Sequence, residues 1–129
     1  MTRMTAQEVF DTAVLGVLSQ GKPSINHTGD CMYRGPNGLK CAAGHVLKDQ
    51  DYKRHFDINN LSIYSLSDRI ETPYYVKDNK ILLSRLQRVH DSKTLGDNSV
   101  WLKSFRTKAR RIAKDFDLKI PIELEKEND

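Results

Sequence analysis

The chain is short of cysteine and of long apolar runs, and each shortage removes a class of protein. Two cysteines in 129 residues do not make the disulfide framework of a small secreted domain. No stretch approaches the ~20 consecutive apolar residues of a spanning helix, so no membrane partner is expected. The opening MTRMTAQEVF lacks an apolar segment followed by small residues, the pattern of a secretory leader. There is no G-x-x-x-x-G-K-[ST] phosphate loop, no serine nucleophile elbow and no paired-carboxylate motif. The expectation is a soluble protein of a reducing cytoplasm, with no reaction assigned. What is present is charge and periodicity. Lysine plus arginine number 21 against 17 acids, a net +4, and 38% of residues are hydrophobic. That apolar content is periodic, which excludes disorder throughout. The length suits a single domain, taken as residues 1–124, with 125–129 a fraying acidic tail.

Three long helices are expected. Thr5 and Glu8 have capping-box spacing, and Val9, Phe10, Ala13, Val14, Val17 and Leu18 follow at helical intervals up to Gly21 and Pro23. Asp78 or Asn79 opens a second, with Leu82, Leu83, Leu86 and Val89 on one face. A third runs over 99–116, where Leu102, Phe105, Ala109, Ile112, Ala113 and Phe116 make one stripe. Between the first two, Gly35-Pro36-Asn37-Gly38 reads as a tight turn. It predicts a hairpin pairing Cys31–Arg34 with Leu39–Ala42, although Ala42–Leu47 also suits a short buried helix. Asp49 is a candidate cap for a helical turn to Phe56. Asn59–Ile70 is ambiguous, while Tyr74–Val76 and Ile120–Leu124 read as short extended pieces. The fold class expected is α+β, mostly helical: three main helices (5–20, 79–91, 99–116) around a glycine-rich β-hairpin. Phe10, Val14, Val17, Leu83, Leu86, Val89, Trp101, Phe105 and Ile112 should form much of the core.

Residues 31–44 read C-M-Y-R-G-P-N-G-L-K-C-A-A-G, residues 82–91 read L-L-S-R-L-Q-R-V-H-D, and Trp101 follows. This resembles an uncharacterised family of small phage and bacterial proteins. Its hallmark is C-x-Y-R-G-P-[DN]-G-x-K-C-A-x-G with a later L-Q-x-x-H-D. The resemblance covers most of the chain, from Gln7 to Leu118. It implies a phage or mobile-element setting, hence a host-cell cytoplasm, and no particular reaction.

Four groups of residues are candidates for function. His27, Cys31, Cys41 and His45 are the ligand types of tetrahedral zinc, in the spacing H-x3-C-x9-C-x3-H. An extended x3 spacing, however, separates its ends by about 13 Å, so both arms would have to bend, at Gly29 and Gly44. Two other readings stand for the cysteines: small buried hydrophobes or a cross-strand disulfide. No cofactor is therefore expected, with zinc the one exception weighed. Tyr33, Arg34 and Lys40 surround the turn and offer a stacking ring, a guanidinium fork and a point charge to phosphate or nucleotide. The alternative has Tyr33 packed inward and Arg34 paired with Asp30 or Asp91. His90 and Asp91 are catalytic candidates, with Cys41 as a nucleophile; helix neighbours point ~100° apart, and His90 at a helix C-terminus has a purely structural explanation. Lastly, Lys103, Arg106, Lys108, Arg110, Arg111 and Lys114 are uninterrupted by acids, with Lys103, Arg106, Arg110 and Lys114 on one stripe. Such a face is the electrostatic footprint of phosphate binding, or a solvated face neutralised by the acidic tail.

The function expected first is a small phage-type accessory protein binding nucleic acid or nucleotide through these cations. The alternatives are an inhibitor or adaptor of a host protein, and a small His90-dependent enzyme.

Overall fold

Thr5 opens the first helix, α1 (Ala6–Gln20), with both bonds of the capping box. Its hydroxyl accepts from the Glu8 amide at 3.1 Å, and its own amide donates to Glu8 Oε1 at 2.8 Å. Gly21 closes the helix at φ 77°, a left-handed conformation that glycine adopts without strain. The computed structural model describes residues 3–26, 28–92 and 97–125. After α1 come α2 (Ala42–Val46), α3 (His55–Ile58), α4 (Ile63–Ser67), α5 (Tyr74–Lys77), α6 (Lys80–Asp91), α7 (Asn98–Asp115) and α8 (Ile122–Glu125).

The three long helices stand where the apolar periodicity puts them. α6 is the hub and packs against α1, α2, α4, α5 and α7. Leu83 and Leu86 of α6, Phe10, Val14 and Val17 of α1, and Trp101, Phe105 and Ile112 of α7 are all buried, while Val89 is partly buried. Each fully buried large side chain contributes roughly 1.5–3 kcal/mol, so this shared seam dominates the folding energy. α1 and α2 approach closely because Gly16 has no side chain: a Cβ there would lie 2.4 Å from Cγ of His45. Gly44 likewise seats α2 on the preceding loop, where a Cβ would lie 2.2 Å from the Tyr33 carbonyl oxygen.

The expected α+β class is wrong. Among the described residues there is no strand, only an isolated bridge between Ile25 and Cys31, and the fold is all-α. The hairpin fails because its arms bond elsewhere. The Tyr33 and Arg34 amides donate to the Asp57 carboxylate at 2.7 and 3.1 Å. Met32 N–H donates to Ser24 O at 3.0 Å. Lys40 is bracketed by the Gln20 amide group, with its N–H and C=O each bonded at 2.9 Å. The turn itself forms, as a single 3-10 turn over Pro36–Gly38 with Asn37 at φ 60°.

Two extended pieces are also helical. Tyr74–Lys77 coils after Pro73 and thereby buries the successive residues Tyr75 and Val76. Pro121 starts α8, where Leu124 N–H bonds to the Pro121 carbonyl at 2.9 Å and the Leu124 side chain is fully buried. Asp49 lies inside a 3-10 turn, Asp49–Asp51, rather than capping a helix. Asn79 precedes α6 but donates its side-chain amide to the Tyr75 carbonyl at 2.9 Å instead of accepting from the helix. No helix among the described residues is long and apolar enough to cross a membrane.

Candidate functional site

The turn residues are consumed by the fold. Tyr33 is buried and donates its hydroxyl to the Leu61 carbonyl at 2.7 Å; burial pushes its phenol well above the ordinary range. Arg34 pairs with Asp49, neither Asp30 nor Asp91, and donates to the Leu47 carbonyl at 2.6 Å. Its guanidinium also lies 5.0 Å from the centre of the Tyr52 ring. The hydrogen bond and charge of Arg34 hold the Asp49 carboxyl below its usual range. Asp57 beneath them accepts from both loop amides and, at 2.6 Å, from the Tyr52 hydroxyl. Burial first, then that hydrogen bond, push the Tyr52 phenol up to about 12. Lys40 is half-buried at the edge of this network.

The four residues weighed for zinc do not assemble as the spacing suggests. His27 lies outside the described residues. Cys41 is buried and caps α2, its sulfur accepting from the Gly44 amide at 3.4 Å; burial raises its thiol far above the ordinary value. An unreactive thiol of this kind is no nucleophile for His90. His45 is half-buried with its ring against Gly16, and burial, then Lys40, lower its pKa to about 4. Folding therefore holds His45 neutral while the unfolded chain protonates it near pH 6.5. Stability is expected to be full above about pH 6.5 and to fall as pH drops towards 4. A His45 ring-proton titration by NMR with a midpoint near 6.5 in the native protein would contradict this.

The ligand-bearing side chains that do converge among the described residues are Cys31, His90 and Asp91. Their chain separation gives no sequence signal beyond the terminal H-D of α6. His90 is 1% exposed. Its Nε2 accepts the Ser24 amide at 3.1 Å, its Nδ1 lies 2.9 Å from Asp91 Oδ1, and its carbonyl accepts the Trp101 indole N–H at 3.1 Å. The Ser24 N–H leaves Nε2 only an acceptor's role, so the ring proton sits on Nδ1 and points to Asp91. The helical offset between neighbours thus does not keep this pair apart. Asp91 Oδ1 is also steadied by Gln87 Nε2 at 2.7 Å. Two open clefts meet here, of ≈ 500 and ≈ 260 Å³, and Gly29, Cys31 and Asp91 line both.

The basic helix divides in two. Arg106 and Arg110 reach across to α8 and donate to the carbonyls of Glu123 and Leu124 at 2.7 and 2.9 Å. Lys103, Lys108, Arg111 and Lys114 are exposed. Arg111 bonds Asp115 at 3.2 Å yet keeps 74% of its side chain exposed. Of the acidic tail expected to fray, 125–129, Glu125 is the last residue of α8, and residues 126–129 lie outside the described residues.

These features define an all-α domain with one cationic helix face and a thiol–imidazole–carboxylate cluster. No protein family, curated protein or solved structure matches the chain.

Proposed function

We propose that this chain is a small accessory protein that binds nucleic acid through the outer arc of α7. One observation carries the reading. Lys103, Lys108, Arg111 and Lys114 are exposed, while Trp101, Phe105, Ala109, Ile112 and Ala113 of the same helix are buried. At 1.5 Å per residue the cations extend over about 16 Å of helix axis, enough to meet several phosphates of a duplex. With Tyr33 and Arg34 engaged internally, a nucleotide pocket at the turn is not part of this proposal. The phage setting implied by the motif fits such a protein, and a host cytoplasm is its proposed location.

Contacts of this kind read backbone charge and not base sequence. Binding to duplex DNA is expected to weaken with salt at a slope of about 0.9 per phosphate neutralised, hence about −3 to −4 for four cations. Fluorescence anisotropy across a salt series checks it; a flat response, or no binding at low salt, rejects it.

A host-protein adaptor is the second reading. It is favoured by apolar side chains that the fold leaves outside, chiefly Ile70, Ile58 and Ile122 at 92%, 69% and 66% exposed. Capture of one host protein that survives nuclease treatment would support it over the first.

A further inference from the structure

We propose that Cys31, His90 and Asp91 form a binding site for a divalent transition metal of the zinc class. The proposal is independent of nucleic-acid binding. One thiol sulfur, one ring nitrogen and one carboxylate oxygen lie within 4.8 Å of one another. In a tetrahedral zinc site, with bonds of roughly 2.0–2.3 Å, ligand atoms stand about 3.5 Å apart. Closure therefore asks for a shift of about an ångström, from groups able to supply it. Cys31 is half-buried on a loop and Asp91 is exposed at the last turn of α6, whereas His90 is fixed in the core.

The chemistry selects the metal. Thiolate and imidazole suit zinc-class ions, while magnesium and calcium take oxygen ligands. One thiolate and one carboxylate also balance a dication, so the filled site is neutral beside the buried ring. Three protein ligands leave a fourth position, and the two clefts that meet at Cys31 and Asp91 supply the route to it.

The Ser24 amide competes with the metal. Without metal it bonds Nε2, and the ring proton sits on Nδ1, beside Asp91. A metal taking Nδ1 displaces that proton, and the neutral ring carries its proton on Nε2 instead. Nε2 and the Ser24 amide are then both donors, so their bond opens. The ring and carboxylate keep their proton counts, and the Cys31 thiol gives up one proton to the buffer. The neighbouring loop stays anchored through the Ser24 hydroxyl, which donates to the Met32 carbonyl at 2.9 Å, and through the Met32 amide. Metal binding is thus coupled to local release of one backbone amide.

The test is titration of the untagged full chain with Co²⁺, followed by absorption. One equivalent should produce tetrahedral ligand-field bands and a thiolate-to-cobalt charge-transfer band, and zinc should abolish both. Cys31→Ser should remove the charge-transfer band. Asp91→Asn should weaken binding by at least about tenfold. Neither variant touches the buried seam, and circular dichroism checks that each is folded. Calorimetry in two buffers should show one proton released per metal, and exchange of the Ser24 amide should quicken on loading. No charge-transfer band at stoichiometric cobalt, or a band that persists in Cys31→Ser, overturns the proposal. Unchanged affinity in Asp91→Asn removes Asp91 from the ligand set and overturns the site as stated.

Discussion

Asp57→Ala is expected to destabilise the protein by about 3 kcal/mol, a large share of the 5–15 kcal/mol typical of a domain. The Asp57 carboxylate accepts three hydrogen bonds, from Tyr33 N–H, Arg34 N–H and Tyr52 O–H. Bonds to a charged group contribute about 1.5–3 kcal/mol each, and a buried donor left unpaired costs about 1–3 kcal/mol. The three are not additive. Tyr52 is only partly buried and can turn to water, whereas Tyr33 is in the core. Asp57→Asn keeps one acceptor oxygen but points an N–H₂ at the remaining donors, so it should recover only part of the loss. Urea denaturation of the three proteins measures this. The Tyr52 phenol, held up near 12 by burial and then by Asp57, should titrate lower in Asp57→Ala if the fold persists. A midpoint shift equivalent to less than about 0.5 kcal/mol, the scale of an ordinary surface substitution, would show that the loop is held by something else.

Asp57 also shows where sequence reasoning stops. The ends of α1 at Thr5 and Gly21 were legible because capping is local, and α6 was legible from its apolar periodicity alone, although Asn79 supplies no side-chain cap. A hairpin is inferred from its turn alone, and here the turn is real. The backbone donors of its arms, however, are taken by side chains at positions 20 and 57, which no local pattern can announce. The pieces at 74–77 and 122–125 are four residues each, too short for a period of 3.6 to separate from one of 2. Their helicity follows from a preceding proline and from what Tyr75, Val76 and Leu124 must bury.

The site divides the same way. A cationic face on α7 opposite the apolar stripe was visible, although its exposed residues are Lys103, Lys108, Arg111 and Lys114 rather than the expected stripe of Lys103, Arg106, Arg110 and Lys114. That Arg106 and Arg110 turn to the α8 carbonyls was not, because α8 itself was read as extended. The fate of Arg34 depended on an acid whose position only the folded loop reveals: Asp49, rather than Asp30 or Asp91. Cys31 was paired with Cys41 by symmetry about the turn, yet its sulfur lies with His90 and Asp91. Loss of the hairpin explains this, since Cys31 bridges to Ile25, next to the residue whose amide holds the His90 ring.

Replacing Lys103, Lys108 and Lys114 together by glutamate is expected to abolish duplex binding at moderate salt, with affinity down more than about 100-fold. Each substitution removes one neutralised phosphate and adds a repelling charge, so the salt slope should fall from about −3 to −4 to near −1, the share of Arg111. The three side chains are exposed and lie outside the buried seam, so the melting temperature should change little; exposed sites usually shift stability by no more than about 0.5 kcal/mol. The contrast with other cations makes the result interpretable. Arg34→Gln should leave DNA affinity intact, because that guanidinium is already held by Asp49 and the Leu47 carbonyl, and should instead lower stability. Arg106→Gln removes a donor to the Glu123 carbonyl, so its main effect should fall on the seating of α8. If Arg34→Gln weakens binding as much as the triple variant does, the turn and not α7 is the anionic contact. If the triple variant keeps its affinity and slope, the outer arc is solvent-facing surface and nucleic acid is not the partner.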